Sequence, residues 1–278
     1  MGYGDEIMST GFARIAKQKY PDKQIIIGST KKEMIYESEI FKNNPNITTI
    51  KNLKPNINKV WINSYKNNRP YFLKSKSNKE KIIWNYNYRP VKGDLFFDNE
   101  EKNYANLIFE ELKKKRNLKF KNKFKKIVYI ETSRISKDNT RLGFQNRNWS
   151  FENWNNFVKY FKEDIFFIQS KHKDSKAIDG VFTFESNFRN ACSVMSMCDL
   201  FVGWEGGFAH AAAALNKKAV VIFGGWIDPK ITGYDFHENI YINIEGSPCG
   251  MRNYCDHCQK CIKLISTELV ISKFKQII

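Results

Sequence analysis

Residues 203–225 read GWEGGFAHAAAALNKKAVVIFGG. An acid, two glycines and a histidine stand ahead of an alanine-rich run, which gives way to a bare apolar one. Glycine lets the backbone approach a ligand closely, and the unbonded amides that begin a helix attract phosphate. Glu205 can there accept hydrogen bonds from ribose hydroxyls, or balance the helix dipole as an ordinary turn residue. The spacing is not G-x-G-x-x-G, which disfavours a dinucleotide-dependent oxidoreductase.

A second constellation is CGMRNYCDHCQKC, residues 249–261. Cys249, Cys255, Cys258 and Cys261 are spaced C-x5-C-x2-C-x2-C. Four thiolates suit a tetrahedral structural zinc, and the C-x2-C-x2-C core also fits iron–sulfur ligation. Free thiols or an occasional disulfide are the alternatives, and His257 can stand in for one ligand. Cys192 and Cys198 lie in an apolar helical stretch and read as buried thiols.

These residues need elements to carry them. DLFVGW reads as a buried strand, Glu205-Gly206-Gly207 as the turn at its carboxyl end, GGFAHAAAALN as a helix and KAVVIFGG as the next strand. Upstream, KIVYIET and DIFFIQS read as strands, and SFENWNNFVKYFKE as a helix capped by Ser150 with Trp154, Phe157, Val158 and Phe161 on one face. NFRNACSVMSMC and ISTELVISKFKQII complete the helical set. Near the start, residues 6–20 show a helical period, QIIIGS follows as a strand, and TTIKNL, KVWINS and KIIWNYNYRP are strand candidates. The run KKKRNLKFKNKFKK, 113–126, reads as a solvated linker without a packing face. Strands alternating with helices on both sides of it imply two α/β domains with parallel sheets, 1–118 and 119–278, facing a cleft.

The chain has 278 residues, 42% hydrophobic, with 46 Lys plus Arg against 29 Asp plus Glu, net +17. Nearly all the excess lies before residue 127. Such a surface attracts an anionic partner, although the joint richness in Lys, Asn and Ile equally suits a compositional bias. Nucleic-acid binding is disfavoured because the lysines are dispersed rather than gathered in a groove. No apolar run of about 18 residues spans a membrane, and MGYGDEIMST lacks the features of a signal peptide. A cytoplasmic location is expected, with peripheral contact at the inner membrane.

The stretch from Glu205 through AHAAAALNKKAVVIFGGWIDPKITG resembles the C-terminal domain of glycosyltransferase family 9, the heptosyltransferase family. There an acid, a small hydroxyl residue, a glycine and a histidine open the helix that holds the diphosphate of a nucleotide-sugar donor. The corresponding positions are Glu205, Gly206, Gly207, Phe208 and His210, with Asp228 in the following F-G-x-x-D-P…T-G loop. Gly206 and Glu205 depart from the usual Thr or Ser and Asp. GYGDEIMSTGFARIAKQKYPDKQIII is similar to the family's opening segment, placing Asp5 as general base. SRISKDNTRLGFQNRNWSFENWNNFV resembles its phosphate-contacting segment, with Ser133, Arg134 and Arg147.

The resemblance implies a GT-B-like fold of two Rossmann-like domains. It also implies inverting sugar transfer from a nucleotide-diphosphate sugar, ADP-heptose by analogy, to an anionic cell-surface glycan, a lipid-linked acceptor or a lipopolysaccharide-type acceptor. No cofactor is required for that catalysis. Each residue keeps a plainer role: Asp5 as N-cap of the 6–20 helix, Arg147 as partner of Glu152, His210 as a core histidine. A non-catalytic protein that binds nucleotide sugars or glycans with the same fold is the alternative.

Overall fold

The structure is a computed structural model describing residues 2–62, 69–72, 81–132, 146–171 and 177–278. The chain opens with helix α1 (Tyr3–Lys19), which runs into strand β1 (Gln24–Ser29). β1 pairs antiparallel with β2 (Met34–Ile35) and parallel with β3 (Lys59–Ile62), giving a three-stranded sheet in the order β2-β1-β3. A two-stranded ribbon follows, β4 (Tyr71–Phe72) antiparallel to β5 (Ile83–Trp84). The first unit is thus a small mixed sheet rather than the wholly parallel one expected, and TTIKNL contributes a 3-10 turn at Ile50–Asn52 instead of a strand.

Helix α2 (Asn99–Lys119) begins with a capping box, Asp98 accepting from the Glu101 amide at 2.9 Å while Glu101 accepts from the Asp98 amide at 2.9 Å. It runs through the basic stretch that the sequence suggests is a linker. Leu112, Arg116 and Phe120 are buried, and Arg116 donates to the carbonyls of Asn122 and Glu163 between the rings of Phe120 and Phe124. A guanidinium over aromatic faces, with its N–H groups on carbonyls, carries a charge into a packed interface. The charge run therefore has a packing face after all.

The remainder forms one six-stranded parallel sheet from β6 (Lys126–Glu131), β7 (Ile165–Ser170), β8 (Val181–Phe184), β9 (Leu200–Trp204), β10 (Lys218–Gly224) and β11 (Glu238–Tyr241). Its order is β8-β7-β6-β9-β10-β11, the doubly wound arrangement whose topological switch lies between β6 and β9. Strand residues alternate between two cores. Tyr129, Phe201 and Val221 face one apolar cluster, and Val128, Val202 and Val220 the other.

The second cluster holds α3 (Phe151–Phe161) and α8 (Thr267–Lys275). Trp154, Phe157, Val158 and Phe161 are all buried on the expected face, and the Ser150 and Ser266 caps are in place. The first cluster holds α2, α4 (Phe188–Ser196) and α5 (Gly207–Ala214). It continues without a break through Ile7 and Met8 of α1 to Ile25 and Ile27 of β1. Alanines on α5 let α1 lie close over it, since small side chains keep two helix axes near each other. The two units therefore share one core, and the amino ends of α1 and α5 meet above the switch point.

Candidate functional site

The carboxyl ends of β6 and β9 open into a cleft of about 630 Å³ bounded by both units. Its floor is Glu131 at the end of β6, Ser170 at the end of β7 and Glu205-Gly206-Gly207 after β9. One wall is the start of α1, with Tyr3, Gly4 and Asp5. Tyr71 and Trp84 of the small ribbon, with Trp226, form another. A crevice outside the carboxyl ends of strands at a switch point is where open α/β sheets bind ligands.

Gly206 stands in extended backbone and starts α5 with no side-chain cap. The amides of Ala209 and His210 turn back onto the Gly206 carbonyl at 3.1 and 3.3 Å. Among the described residues no acceptor is recorded for the amides of Gly207 and Phe208, and both residues line the cleft. First-turn N–H groups facing a cavity form an anion site. A Cβ on Gly207 would lie 3.2 Å from the Phe188 ring, and one on Gly4 would lie 2.7 Å from His210 Cδ2 and 3.7 Å from Gly207 Cα. Glycine at both positions allows this close approach of the two helix ends.

Arg147 stands in a short turn and reaches over the floor. Its Nη1 donates to Glu205 Oε2 at 2.6 Å, and the guanidinium lies between the rings of Trp204, 5.1 Å away, and Trp226, 4.3 Å away. Arg147 thus pairs with Glu205 rather than with its near neighbour Glu152. Glu205 is accordingly an orienting partner for a cation beside the helix end.

Asp5 is the third residue of α1 rather than its N-cap, and its Oδ2 accepts from the Gly2 amide at 3.3 Å. Burial pushes its carboxyl above the usual range, against the pull of the Gly2 amide and of His210. His210 is buried in the first turn of α5, with Nδ1 2.9 Å from the Tyr234 hydroxyl. Burial holds its pKa below that of a free imidazole, with the charges of Glu205 and Asp5 opposing. The neutral ring is therefore favoured at pH 7, and an Nδ1 accepting from Tyr234 leaves the proton on Nε2.

Of the remaining expected residues, Asp228 is absent from the cleft lining. It caps the single-turn helix α6 (Pro229–Thr232), accepting from the Lys230 amide at 2.8 Å. Ser133 and Arg134 lie outside the described residues. The sequence reading missed Glu131, an acid ending the apolar run KIVYIE that is only 2% exposed. It also missed the aromatic walls, Tyr3 stacked on Phe188 at 4.1 Å and Trp84 edge-on to Trp226 at 4.9 Å.

The cysteines form a separate group next to the cleft. Cys249, Cys255, Cys258 and His257 bring their ligand atoms within 4.8 Å of one another, with Cys249 and Cys255 sulfurs 3.8 Å apart. Ligands at about 2.0–2.3 Å in a tetrahedron stand about 3.3–3.8 Å from each other; the Cys249–Cys255 spacing meets this, and the group as a whole, within 4.8 Å, is somewhat more open than a closed tetrahedral site. Cys261, expected as the fourth ligand, stands outside that set. Its sulfur faces Gly225, the Ser247 hydroxyl 3.7 Å away, and the His257 ring, 3.8 Å from Nδ1 and 3.9 Å from Nε2. His257 takes its place because helix α7 (Asp256–Lys263) begins just after Cys255 and brings His257 back over the loop. Its Nε2 lies 2.9 Å from the Glu245 carbonyl, a contact that leaves Nδ1 for a metal. Interaction between the two thiols lowers the pKa of Cys249 and raises that of Cys258.

No protein-family model and no curated protein matches the sequence. Among solved structures, the chain is similar to the glycosyl transferase family 9 protein from Veillonella parvula DSM 2008, with a TM-score of 0.61 and 12% identity over 100% of this chain and 94% of that one. It is also similar to TibC, an iron-containing dodecameric glycosyltransferase from enterotoxigenic E. coli H10407, with a TM-score of 0.58 and 11% identity over 100% and 74%. The TibC complex with ADP-D-beta-D-heptose gives 0.55 and 10% over the same shares. At these identities the likeness establishes the fold, the GT-B arrangement of two α/β units about a cleft.

Proposed function

We propose that the chain is a glycosyltransferase of the family 9 type, moving a sugar from a nucleoside-diphosphate sugar to an acceptor hydroxyl. The observation that carries this is the meeting of α1 and α5, which sets the Asp5 carboxylate beside the α5 amino end in one cleft at the switch point. The diphosphate sits on the amides of Gly207 and Phe208, with Arg147 beside them. Asp5 takes the proton of the acceptor hydroxyl as its oxygen bonds to the anomeric carbon, and the bond from that carbon to the diphosphate breaks. A helix amino end and a guanidinium already held in place stabilise the departing charge, so the reaction asks for no cofactor. Attack opposite the leaving group inverts the anomeric centre.

TibC is described as iron-containing and as forming a complex with ADP-D-beta-D-heptose. By analogy the donor is an ADP-sugar, heptose first, and Cys249, Cys255, Cys258 and His257 hold one structural zinc or iron ion. When bound, that ion cross-links the loop and takes no part in transfer. Residues 1–126, the acceptor-side unit and the basic run after it, carry most of the basic surplus, which suits an anionic or lipid-linked acceptor at a membrane surface. No described helix is long and apolar enough to cross a membrane. Salt-independent acceptor binding counts against that part.

The deciding experiment is a transfer assay with labelled nucleotide sugars, run beside donor hydrolysis. Turnover lost in Asp5→Asn supports the reading. Binding of a nucleotide sugar with neither hydrolysis nor transfer supports instead a non-catalytic binding protein. That rival draws on Gly206, which supplies no hydroxyl to phosphate.

A further inference from the structure

Asn146 is fully buried and immediately precedes Arg147. Its side chain is spent entirely on one loop. Nδ2 donates to the carbonyls of Met251 at 3.0 Å and Asn253 at 2.6 Å, and Oδ1 accepts from the Cys255 amide at 2.9 Å. The same Met251 carbonyl accepts from Trp226 Nε1 at 2.6 Å. Trp226 is the ring on which the Arg147 guanidinium rests. The backbone that leads into Arg147 and the surface that supports its head are therefore tied to a single carbonyl oxygen.

The two residues ahead of that carbonyl are held in turn. The amides of Cys249 and Gly250 donate to the carbonyls of Gly225 and Trp226, each at 3.1 Å, and the Ile82 amide donates to the Gly250 carbonyl at 2.8 Å. Gly250 has φ +64, and a Cβ there would lie 2.5 Å from the Ile82 carbonyl. The loop ends are Cys249 and Cys255, two members of the Cys/His group.

We propose that the 249–255 loop positions Arg147, acting through Asn146 and Trp226, and that closure of the Cys/His group thereby sets the affinity for the donor diphosphate. This rests on the donor site proposed above. Arginine loses several rotatable bonds of freedom on binding, and a scaffold that removes this freedom in advance shifts the cost from binding to folding. None of the four Cys/His residues lines the cleft, so the group's influence passes through position alone.

The test measures dissociation constants for ADP, GDP and UDP in wild type and four variants. Trp226→Phe keeps a ring under Arg147 and removes only the N–H donor. Asn146→Leu removes the clamp, and Cys258→Ser opens the Cys/His group. Trp149→Phe is the control, losing an equivalent indole bond to the Ile265 carbonyl, 2.8 Å, in the opposite core. Loss of the bonds to the Met251 carbonyl in the first two variants, and of a Cys/His member in the third, is expected to weaken binding of the preferred nucleotide about tenfold, with the control binding like wild type. Variants that bind as tightly as wild type overturn the proposal, as does an equal loss in Trp149→Phe, which marks general destabilisation. An intact Cys258→Ser overturns the role of the Cys/His group. Wild type that binds none of the three nucleotides overturns the donor-site reading as well, and so is distinguishable.

Discussion

The Arg147 guanidinium lies 2.6 Å from the Glu205 carboxylate, sandwiched between Trp204 and Trp226, with side-chain exposures of only 14% and 9% for the pair. A nearly buried pair is costly to break from one side, because the remaining charge keeps its desolvation penalty. Arg147→Met or Glu205→Gln alone is expected to destabilise the protein by about 3 kcal/mol. The double variant should cost clearly less than the sum, yet leave nucleotide binding as weak as Arg147→Met. Chemical denaturation and calorimetry on the four proteins of the cycle check both halves; strictly additive losses contradict the pairing.

Asp5→Asn separates chemistry from folding. The amide keeps an oxygen for the Gly2 N–H but cannot take a proton. The expected result is a fall in transfer of about 10²–10⁴, with the melting temperature and nucleoside-diphosphate affinity close to wild type. Full turnover in this variant removes Asp5 from the mechanism.

Because burial raises the Asp5 carboxyl, the base becomes competent only above the ordinary carboxylate range. The acid limb of the transfer rate should therefore lie at higher pH than a free aspartate would give. A rate that is flat down to pH 4 contradicts this assignment.

Stability has its own pH dependence. His237 is buried, with Nε2 3.1 Å from the Lys217 carbonyl, and burial lowers its pKa from 6.5 to about 4. The unfolded chain therefore takes up the proton first. The contribution of this group is complete above pH 6.5 and is lost as pH falls through about 4, an effect on the order of 3 kcal/mol in full. The denaturant midpoint should drop over that window and drop less in His237→Gln.

Metal content discriminates the ligand sets. Elemental analysis of purified protein is expected to show about one zinc or iron per chain, retained in Cys261→Ser and lost in Cys258→Ser. Metal retained in Cys258→Ser, or lost in Cys261→Ser, contradicts the set built on His257.

Much of the second unit was legible because its strands are buried on both faces or alternate cleanly between two cores, and because Ser150 and Ser266 mark helix starts. The edge strands β8 and β11 were not. VFTF and ENIY are covered on part of one face only and so carry no sustained apolar run. In the site, the Glu205-Gly206-Gly207 turn and His210 were readable from local order. The Arg147–Glu205 pair was not, since 58 residues separate the partners and only the sheet brings them together. His257 reads from sequence only as a stand-in ligand for a similar reason, because cysteine spacing alone does not show where α7 begins.

The central claim is that the α5 amino end grips a diphosphate. Isothermal titration of wild type against ADP, GDP and UDP, beside their monophosphates, tests it most directly. The account predicts saturable one-to-one binding of at least one diphosphate, weaker binding of its monophosphate, and loss of both in Gly207→Val, whose Cβ meets the Phe188 ring at the helix end. No binding by any diphosphate, or binding unchanged in Gly207→Val, would contradict it.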